Sequence, residues 1–261
     1  MTSVFNARGV SVSFGGVRAV AGVDLEIEEG ELVGLIGPNG AGKTTFIDAV
    51  TGFVRYQGTV ELGGTRLDRL PPHARAQRGL ARTWQTVELF DDLSVRENLT
   101  VAAKGGASVD DELELLDLAD VADSMPWELA PAARKRAGIG RALVARPRLL
   151  CLDEPGAGLD VRQSRELGAL LAGIADSGTA VLLVDHDMGL VLSACDRIVV
   201  LESGAVIAQG TADEIRGDER VISAYLGHST TDPTDTTDTT DKTDKTDTTG
   251  AAQGVGRAGA A

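Results

Sequence analysis

The sequence predicts an α/β fold in which a mainly parallel sheet core is joined by an antiparallel β layer and a helical subdomain. Three observations lead to this expectation. Short apolar runs alternate with segments of helical periodicity, which is the pattern of strand–helix–strand units in a parallel sheet. Two earlier segments alternate apolar and polar residues, as half-buried antiparallel strands do. A long central stretch has helical patterns and no strong strand.

The strands are predicted from the spacing of apolar residues. The two alternating segments near the N-terminus are residues 10–14 and 23–27. Three continuous apolar runs are short enough to be strands buried on both faces of a parallel sheet. These runs are residues 32–36, 149–152 and 180–184.

Helical patterns follow these runs at residues 43–51, 161–175 and 188–194. Further helical stretches, including residues 111–119, lie in a segment of about residues 86–145, which we interpret as a helical subdomain. We expect one folded domain over residues 1–227 that contains this subdomain. Residues 228–261 are rich in Thr, Asp, Gly and Ala. They have almost no large apolar side chains, so we expect a disordered tail there.

Composition excludes several classes of protein. The chain has 261 residues, of which 43% are hydrophobic, and a formal net charge of −14. It is too rich in apolar residues for a disordered chain, and its acidic balance argues against nonspecific binding to nucleic acid. We interpret the basic cluster around residues 134–148 as a solvated helix face. Cys151 and Cys195 are expected to be reduced thiols of a cytoplasmic protein. Because there is no run of about 18 apolar residues, we expect no transmembrane helix.

The strongest functional signal is a glycine-rich loop between a predicted strand and a predicted helix. It reads Gly37-Pro38-Asn39-Gly40-Ala41-Gly42-Lys43-Thr44-Thr45. The loop fits the pattern G-x-x-x-x-G-K-[ST] in the context that this pattern requires. Its glycines let backbone N–H groups approach a phosphate closely, and the helix start adds its positive dipole end. We expect Lys43 to bind the outer phosphates and the Thr44 hydroxyl to ligate Mg²⁺.

A second constellation is a pair of adjacent carboxylates, Asp153 and Glu154, directly after the apolar run 149–152. On its own the pair is a weak signal, because acidic residues also occur at solvated strand ends. Together with the phosphate loop, it predicts that Asp153 contacts Mg²⁺ through water. Glu154 is then expected to polarise an attacking water molecule.

Three other stretches complete a known pattern. They are residues 14–20 (FGGVRAV), residues 82–85 (RTWQ) with 89–90 and 95–99 (VRENL), and residues 185–188 (DHDM) with 221–227. With the phosphate loop and the acidic pair, they make residues 4–227 resemble the nucleotide-binding subunit of an ABC transporter. The three stretches are similar in particular to ATP-binding subunits of branched-chain amino-acid importers. The resemblance implies a P-loop NTPase fold of ABC type, the cofactors ATP and Mg²⁺, and an ATPase coupled to transport.

The resemblance also implies roles for further residues. Phe14 corresponds to the aromatic that stacks on adenine, and His186 to the switch histidine that contacts the γ-phosphate. Gln85 corresponds to the glutamine that senses Mg²⁺ and the γ-phosphate and couples to the membrane subunits. Asp160 lies in the loop that crosses the dimer interface. Without the resemblance, Phe14 would be interpreted as a core side chain, Gln85 as a surface residue and His186 as a structural histidine.

One motif departs from the family pattern. Where the family has a signature close to Leu-Ser-Gly-Gly-Gln, this chain has Leu129-Ala130-Pro131-Ala132-Ala133. In the family, two subunits sandwich ATP head to tail, so that each site combines one phosphate loop with the partner's signature. Ala130 lacks the serine hydroxyl that donates to the γ-phosphate, and Pro131 lacks an N–H donor. Losing a donor to a charged oxygen costs about 1.5–3 kcal/mol.

We therefore expect an asymmetric heterodimer with a second ATP-binding subunit, in which Ala130, Ala132 and Asp160 lie at the interface. The resemblance implies that the dimer docks on two membrane permease subunits at the cytoplasmic face of the plasma membrane. A solute-binding protein would be an indirect partner. ATP hydrolysis at the site of Lys43, Glu154 and His186 would drive uptake of branched-chain amino acids or similar small polar solutes.

Three alternatives stay open at this point. The altered signature is also compatible with an ATP-gated subunit that hydrolyses ATP weakly or not at all. The cargo could instead be urea, an amide or a lipid, because cargo contacts lie in other subunits. A soluble ABC protein acting on ribosomes or DNA is disfavoured, since such proteins usually carry two ATP modules or a long coiled coil. We expect no nucleic-acid partner.

Overall fold

The computed structural model describes residues 3–84 and 89–226. Two of the sequence-based predictions, the tail at residues 228–261 and the role of Gln85, lie outside these ranges. Within them the strands are β1 (Ser3–Phe14), β2 (Val17–Glu28), β3 (Leu32–Ile36), β4 (Gln57–Leu62), β5 (Thr65–Arg66), β6 (Leu80–Arg82), β7 (Leu149–Asp153), β8 (Ala180–Val184), β9 (Arg197–Glu202) and β10 (Ala205–Gly210). The α-helices are α1 (Lys43–Thr51), α2 (Pro72–Gln77), α3 (Val95–Ala102), α4 (Asp110–Leu115), α5 (Pro131–Leu143), α6 (Val161–Asp176), α7 (Met188–Ala194), α8 (Ala212–Gly217) and α9 (Glu219–Leu226).

The strands form two sheets, and the predicted fold class is confirmed. A six-stranded sheet has the order β10-β9-β3-β8-β7-β6, in which all neighbours are parallel except the edge pair β10 and β9. A four-stranded antiparallel sheet has the order β2-β1-β4-β5. The short strand β6 was not predicted, since three residues carry too little periodicity to be recognised. β4, β5, β9 and β10 were also missed, although the apolar run of β9 offered a signal.

Each central strand of the parallel sheet contributes side chains to two separate cores. Successive side chains of a strand point to opposite faces, so adjacent residues belong to different cores. Val33 and Leu35 of β3 pack with α1 and the antiparallel sheet, whereas Leu32 and Ile36 pack with the helices on the other face. Burial on both faces explains why these strands read as unbroken apolar runs in the sequence.

Between β6 and β7 the described residues form helices and no strand. The predicted helix over residues 111–119 ends earlier, at Leu115. Asp117 there adopts a left-handed backbone with φ of 51°, and the N–H of Leu118 donates to the carbonyl of Leu113 at 2.8 Å. This hydrogen bond satisfies a carbonyl group at the helix end, and the left-handed residue ends the helix at this point. Among the described residues, no helix is both long and apolar enough to cross a membrane.

Neither cysteine is fully exposed. Cys151 is fully buried in β7, and Cys195 follows α7. Burial raises the pKa of each thiol to about 12. The thiolate is the reactive form, so both side chains are unreactive at neutral pH.

The C-terminal end of α1 is held by a buried arginine from α2. The guanidinium of Arg75 donates to the carbonyls of Ala49 and Val50 at 3.1 and 2.7 Å, and to that of Leu70 at 2.9 Å. A positive charge at this end also opposes the negative end of the helix dipole. Because α1 begins at the glycine loop, Arg75 anchors the helix on which that loop depends.

We expect Arg75→Met to leave the carbonyl of Val50 without its arginine donor, whereas the carbonyl of Ala49 still accepts from the N–H of Gly52 at 3.1 Å. A buried acceptor that loses its partner costs about 1–3 kcal/mol, so a loss of about 2 kcal/mol or more is expected. Thermal unfolding followed by circular dichroism should then show Tm lower by about 4–8 °C. Arg78→Met, which changes an exposed arginine just after the same helix, is the matched control. Equal Tm values for the two variants would contradict the anchoring role.

Candidate functional site

The site is built where three parallel strands end side by side. In the register of the sheet, Val184 of β8 lies opposite both Leu35 of β3 and Asp153 of β7. The glycine loop follows β3, Glu154 follows β7, and His186 lies two residues after β8. Ligands of open parallel sheets bind at the carboxyl ends of the strands, which is where these segments meet. The structure therefore brings together the groups that the sequence analysis predicted separately.

Two glycines of the loop are required by close backbone contacts. A Cβ atom on Gly37 would lie 2.1 Å from the carbonyl oxygen of Leu201, and one on Gly42 would lie 2.3 Å from that of Ala19. Both glycines also have positive φ, 150° and 102°. Gly40 has φ of 79° with no described atom within 4 Å of a Cβ, so its requirement is conformational.

The helix that follows the loop presents its N-terminus to the site. α1 begins at Lys43, and among the described residues no side chain caps its first turn. The N–H groups of that turn are therefore available to an anion, which the helix dipole also favours. Thr44 is exposed and Thr45 is partly exposed. The Thr44 hydroxyl can reach a metal ion that accompanies the anion.

Lys43 is folded back onto its own loop. Its Nζ donates to the carbonyls of Gly37 at 2.7 Å and Pro38 at 3.1 Å, and the residue is buried. Burial lowers the pKa of Lys43, while the nearby charges of Glu154 and Asp153 raise it. The ammonium group thus sits at the loop with neutral carbonyls as its partners, from which it can turn toward a phosphate.

The two carboxylates after β7 have different environments. Asp153 is buried, and its Oδ2 accepts from Nη2 of Arg82 at 2.9 Å. The pKa of Asp153 is raised, mainly by burial, although the hydrogen bond and charge of Arg82 act in the opposite direction. Glu154 has a left-handed backbone with φ of 50°, and its N–H donates to the carbonyl of Val184 at 2.7 Å. Non-glycine residues rarely adopt this conformation, and such strain is concentrated at functional sites.

His186 faces the second carboxylate. Its Nδ1 lies 3.8 Å from Oε2 of Glu154 and 3.8 Å from Oδ1 of Asp185, beyond hydrogen-bond distance. The imidazole is exposed, whereas Asp185 is fully buried. Asp185 accepts from the N–H of Gly156 at 2.7 Å and from that of Asp187 at 2.9 Å. It therefore ties the loop after Glu154 to the loop that carries His186, a role that the sequence analysis did not identify.

A cluster around Arg82 was not predicted from the sequence. The guanidinium contacts Asp48 of α1 as well as Asp153, and its Cζ lies 4.0 Å from the ring centroid of Trp84. A second missed contact involves Lys135 of α5, whose Nζ donates to the carbonyls of Pro155 and Ala157. Lys135 is thus not part of a solvated face. Neither role has a sequence signal, because the partners lie far away along the chain.

Other predicted residues lie at the surface. Phe14 ends β1 with 52% of its surface exposed, at the hairpin whose second strand brings Ala19 against Gly42. Ala130 is the N-cap residue of α5, and Ala132 lies in its first turn. Asp160 caps α6, with its side chain accepting from the N–H of Gln163 at 2.8 Å. These positions are accessible to a ligand or a partner subunit.

The arrangement fits a nucleotide with Mg²⁺. At Gly37 and Gly42 the loop leaves no room for a side chain, and donors are offered by the first turn of α1 and by Lys43. Within residues 3–84 and 89–226 there is no cluster of three or more His, Cys, Asp or Glu that could enclose a metal. Mg²⁺ is commonly held by one or two protein oxygens together with substrate phosphates, so Thr44, with Asp153 acting through water, could hold the ion beside bound phosphates.

Comparisons with known proteins agree with this geometry. Residues 20–157 match the family described as ABC transporter, and residues 205–230 match the family described as branched-chain amino acid ATP-binding cassette transporter. The chain is 39% identical to the high-affinity branched-chain amino acid transport ATP-binding protein BraF of Pseudomonas aeruginosa, over 87% of this chain and 98% of BraF. It is 36% identical to the lipopolysaccharide export system ATP-binding protein LptB of Escherichia coli, over 86% of this chain and 98% of LptB.

Solved structures show the same fold. The crystal structure of the ADP conformation of an ATP-binding cassette from an ABC transporter superposes with a TM-score of 0.80. The two chains are 26% identical, and the match covers 87% of this chain and all of the other.

We expect Gly42→Ala to weaken nucleotide binding strongly, by tenfold or more in Kd, because the new Cβ would displace either the loop or Ala19. Calorimetric titration with ATP and Mg²⁺ measures the change. Gly64→Ala is the matched control, since Gly64 also has positive φ but no described atom within 4 Å of a Cβ. The control should lose about 1–2 kcal/mol of stability from backbone strain and should bind ATP normally. Unchanged binding by the Gly42 variant would contradict the close-approach role.

Proposed function

Because the chain belongs to the ABC transporter family and is an ATP-binding ATPase subunit of it, we propose that it hydrolyses ATP to drive uptake of branched-chain amino acids or similar small polar solutes. The observation that carries the proposal is the convergence of the glycine loop, Asp153, Glu154 and His186 at three adjacent strand ends. The cargo class is supported by the match of residues 205–230 and by the similarity to BraF.

The proposed reaction follows from the positions of these groups. The phosphates of ATP bind backbone N–H groups of the loop of residues 37–45, in which Pro38 alone has none. Lys43 turns from its carbonyl partners to the outer phosphates, and Phe14 stacks on adenine. Mg²⁺, bound through Thr44, Asp153 and Gln85, would neutralise phosphate charge. Glu154 polarises the attacking water, and His186 contacts the γ-phosphate from the next strand. ATP and water become ADP and phosphate.

The altered signature supports a heterodimer with a second ATP-binding subunit. Ala130 and Pro131 are exposed at the start of α5, where the side chain of Ala130 offers no hydroxyl donor and Pro131 has no backbone N–H. A site that combines the partner's nucleotide with this surface would be weak. The site of Lys43 and Glu154 would use the partner's signature instead, with Ala130, Ala132 and Asp160 at the interface.

The same features favour one second candidate, a weakly hydrolytic subunit that ATP binding gates. In either case we propose that the dimer docks on two permease subunits at the cytoplasmic face of the plasma membrane, served by a solute-binding protein. Other cargoes stay open as an alternative, because LptB is a relative at 36% identity with a different substrate in its name.

The first test is ATP hydrolysis by the chain alone and mixed with the ATP-binding subunit encoded beside it. We expect turnover to appear only in the mixture and to be lost with Glu154→Gln, while ATP binding is kept. A general base contributes about 10²–10⁴-fold to a rate, so the loss should be at least a hundredfold. Glu166→Gln, which makes the same chemical change at an exposed residue of α6, is the matched control.

Each other outcome has a defined meaning. Strong turnover by the chain alone would show that residues 129–133 still act as a signature, and the heterodimer proposal would be wrong. ATP binding without turnover in any mixture would favour the gated subunit. Equal turnover of the Glu154→Gln variant and the unmodified chain would remove Glu154 from the mechanism.

Restoring serine at the signature gives a second test. Ala130 occupies an N-cap position with no side-chain cap, where serine is preferred by about 1 kcal/mol. We expect Ala130→Ser to raise Tm by about 2–4 °C. Turnover by the chain alone should also rise, because the hydroxyl supplies a missing donor. Ala169→Ser, at an exposed position inside α6, should lower Tm slightly. A higher Tm without any gain in turnover would show that the serine caps α5 but does not restore the function of the signature.

A further inference from the structure

One buried arginine joins three parts of the site. Arg82 ends β6, beside Cys151 of β7, and only 5% of its side chain is exposed. Its Nη2 lies 2.9 Å from Oδ2 of Asp153, and its Nη1 contacts Oδ1 of Asp48 on α1. The two branches of a single guanidinium therefore hold the carboxylate after β7 and the helix after the glycine loop at a constant separation.

The face of the same guanidinium is covered by aromatic rings. Its Cζ lies 4.0 Å from the ring centroid of Trp84 and 6.0 Å from that of Phe53. The two rings meet edge to face, with centroids 4.9 Å apart. Trp84 is 48% exposed, and it lines a cavity of about 570 Å³ together with Arg82 and Glu154. If Asp153 moved, the rigid, planar guanidinium of Arg82 would therefore transmit the movement to Trp84.

The geometry restricts what Asp153 can do. One of its oxygens is engaged by Arg82, so the carboxylate cannot rotate freely and its other oxygen is directed by that contact. The guanidinium of arginine is planar, and its N–H groups point in fixed directions that set this orientation. The ammonium group of a lysine would supply the same charge without these fixed directions. Partners of metal-binding carboxylates act in this way, and their loss typically weakens metal binding 10- to 100-fold.

We propose that Arg82 is the positioning residue that orients Asp153 for Mg²⁺, and that Trp84, stacked on Arg82, responds when Mg²⁺ binds. The proposal rests on the proposed function, because it takes Asp153 as a residue that contacts Mg²⁺. It extends that function by linking the Mg²⁺ site to Trp84 through Arg82.

The test uses the full chain with Trp127→Phe. The sequence has two tryptophans, so this variant leaves Trp84 as the only source of tryptophan fluorescence. ADP is used as the probe, since no turnover can then contribute to the signal. ADP binding is measured by calorimetry in EDTA, and Mg²⁺ is titrated into the ADP complex while Trp84 fluorescence is recorded.

We expect Mg²⁺ to change the fluorescence of Trp84 in the Trp127→Phe chain. Adding Arg82→Lys should raise the half-saturating Mg²⁺ concentration about 10- to 100-fold and should remove most of the fluorescence change. ADP binding in EDTA should change less than about threefold, because the glycine loop and Lys43 are intact. Arg162→Lys, at an exposed position of α6, is the matched control and should behave as the parent does.

Asp48→Asn is a second variant that keeps Arg82 itself. It weakens the contact to α1, and a smaller shift in the same direction is expected. If Arg82→Lys lowers Tm strongly without changing the Mg²⁺ response of its folded fraction, Arg82 is a structural link only and the proposal fails. Tighter Mg²⁺ binding in Arg82→Lys or Asp48→Asn would also overturn it. If the parent binds ADP but Mg²⁺ leaves Trp84 unchanged, the link to Trp84 is wrong. A parent that binds no ADP would instead contradict the proposed function.

Discussion

Backbone hydrogen bonds between β3, β8 and β7 keep together the three strand ends from which the site is built. Because side chains alternate along a strand, a slip of one residue would exchange the two faces of that strand. In β7 such a slip would turn Cys151 and Leu152 toward the wrong cores and would move Asp153 away from Arg82. The register of the sheet therefore fixes the positions of the two carboxylates, Asp153 and Glu154.

The two hydrophobic cores, one on each face of the parallel sheet, stabilise that register. The central strands are buried against α1 and the antiparallel sheet on one face and against helices on the other. Gly34 shows how close this packing is, since a Cβ there would lie 2.6 Å from a methyl carbon of Val191 and 3.0 Å from the sulfur of Cys195. The absence of a side chain at Gly34 lets α7 lie directly on β3. The loop that carries His186 precedes α7, so its place at the site depends on the same contact.

Charged groups connect the segments that the sheet does not. Arg82 links β7 to α1, and Asp185 links the loop after Glu154 to the loop of His186. Lys135 connects α5, the helix with the altered signature, to the carbonyls that follow Glu154. The pKa of Lys135 is lowered, mainly by burial, although the charges of Asp185 and Glu154 act in the opposite direction. A structural change at the start of α5 would therefore be transmitted by Lys135 to the backbone that follows Glu154.

Local patterns in the sequence were sufficient to predict the α/β class, the glycine loop, the acidic pair and most of the central elements. These features are encoded by neighbouring residues, and helices α1 and α7 begin and end at the predicted residues. The short strand β6 and the early end of α4 escaped prediction, because they depend on strand pairing and on one left-handed residue. The contacts of Arg82, Asp185 and Lys135 were decided by the tertiary structure alone. Arg82 and Asp153 are 71 positions apart in the chain, and only the parallel pairing of β6 with β7 brings their charges into contact.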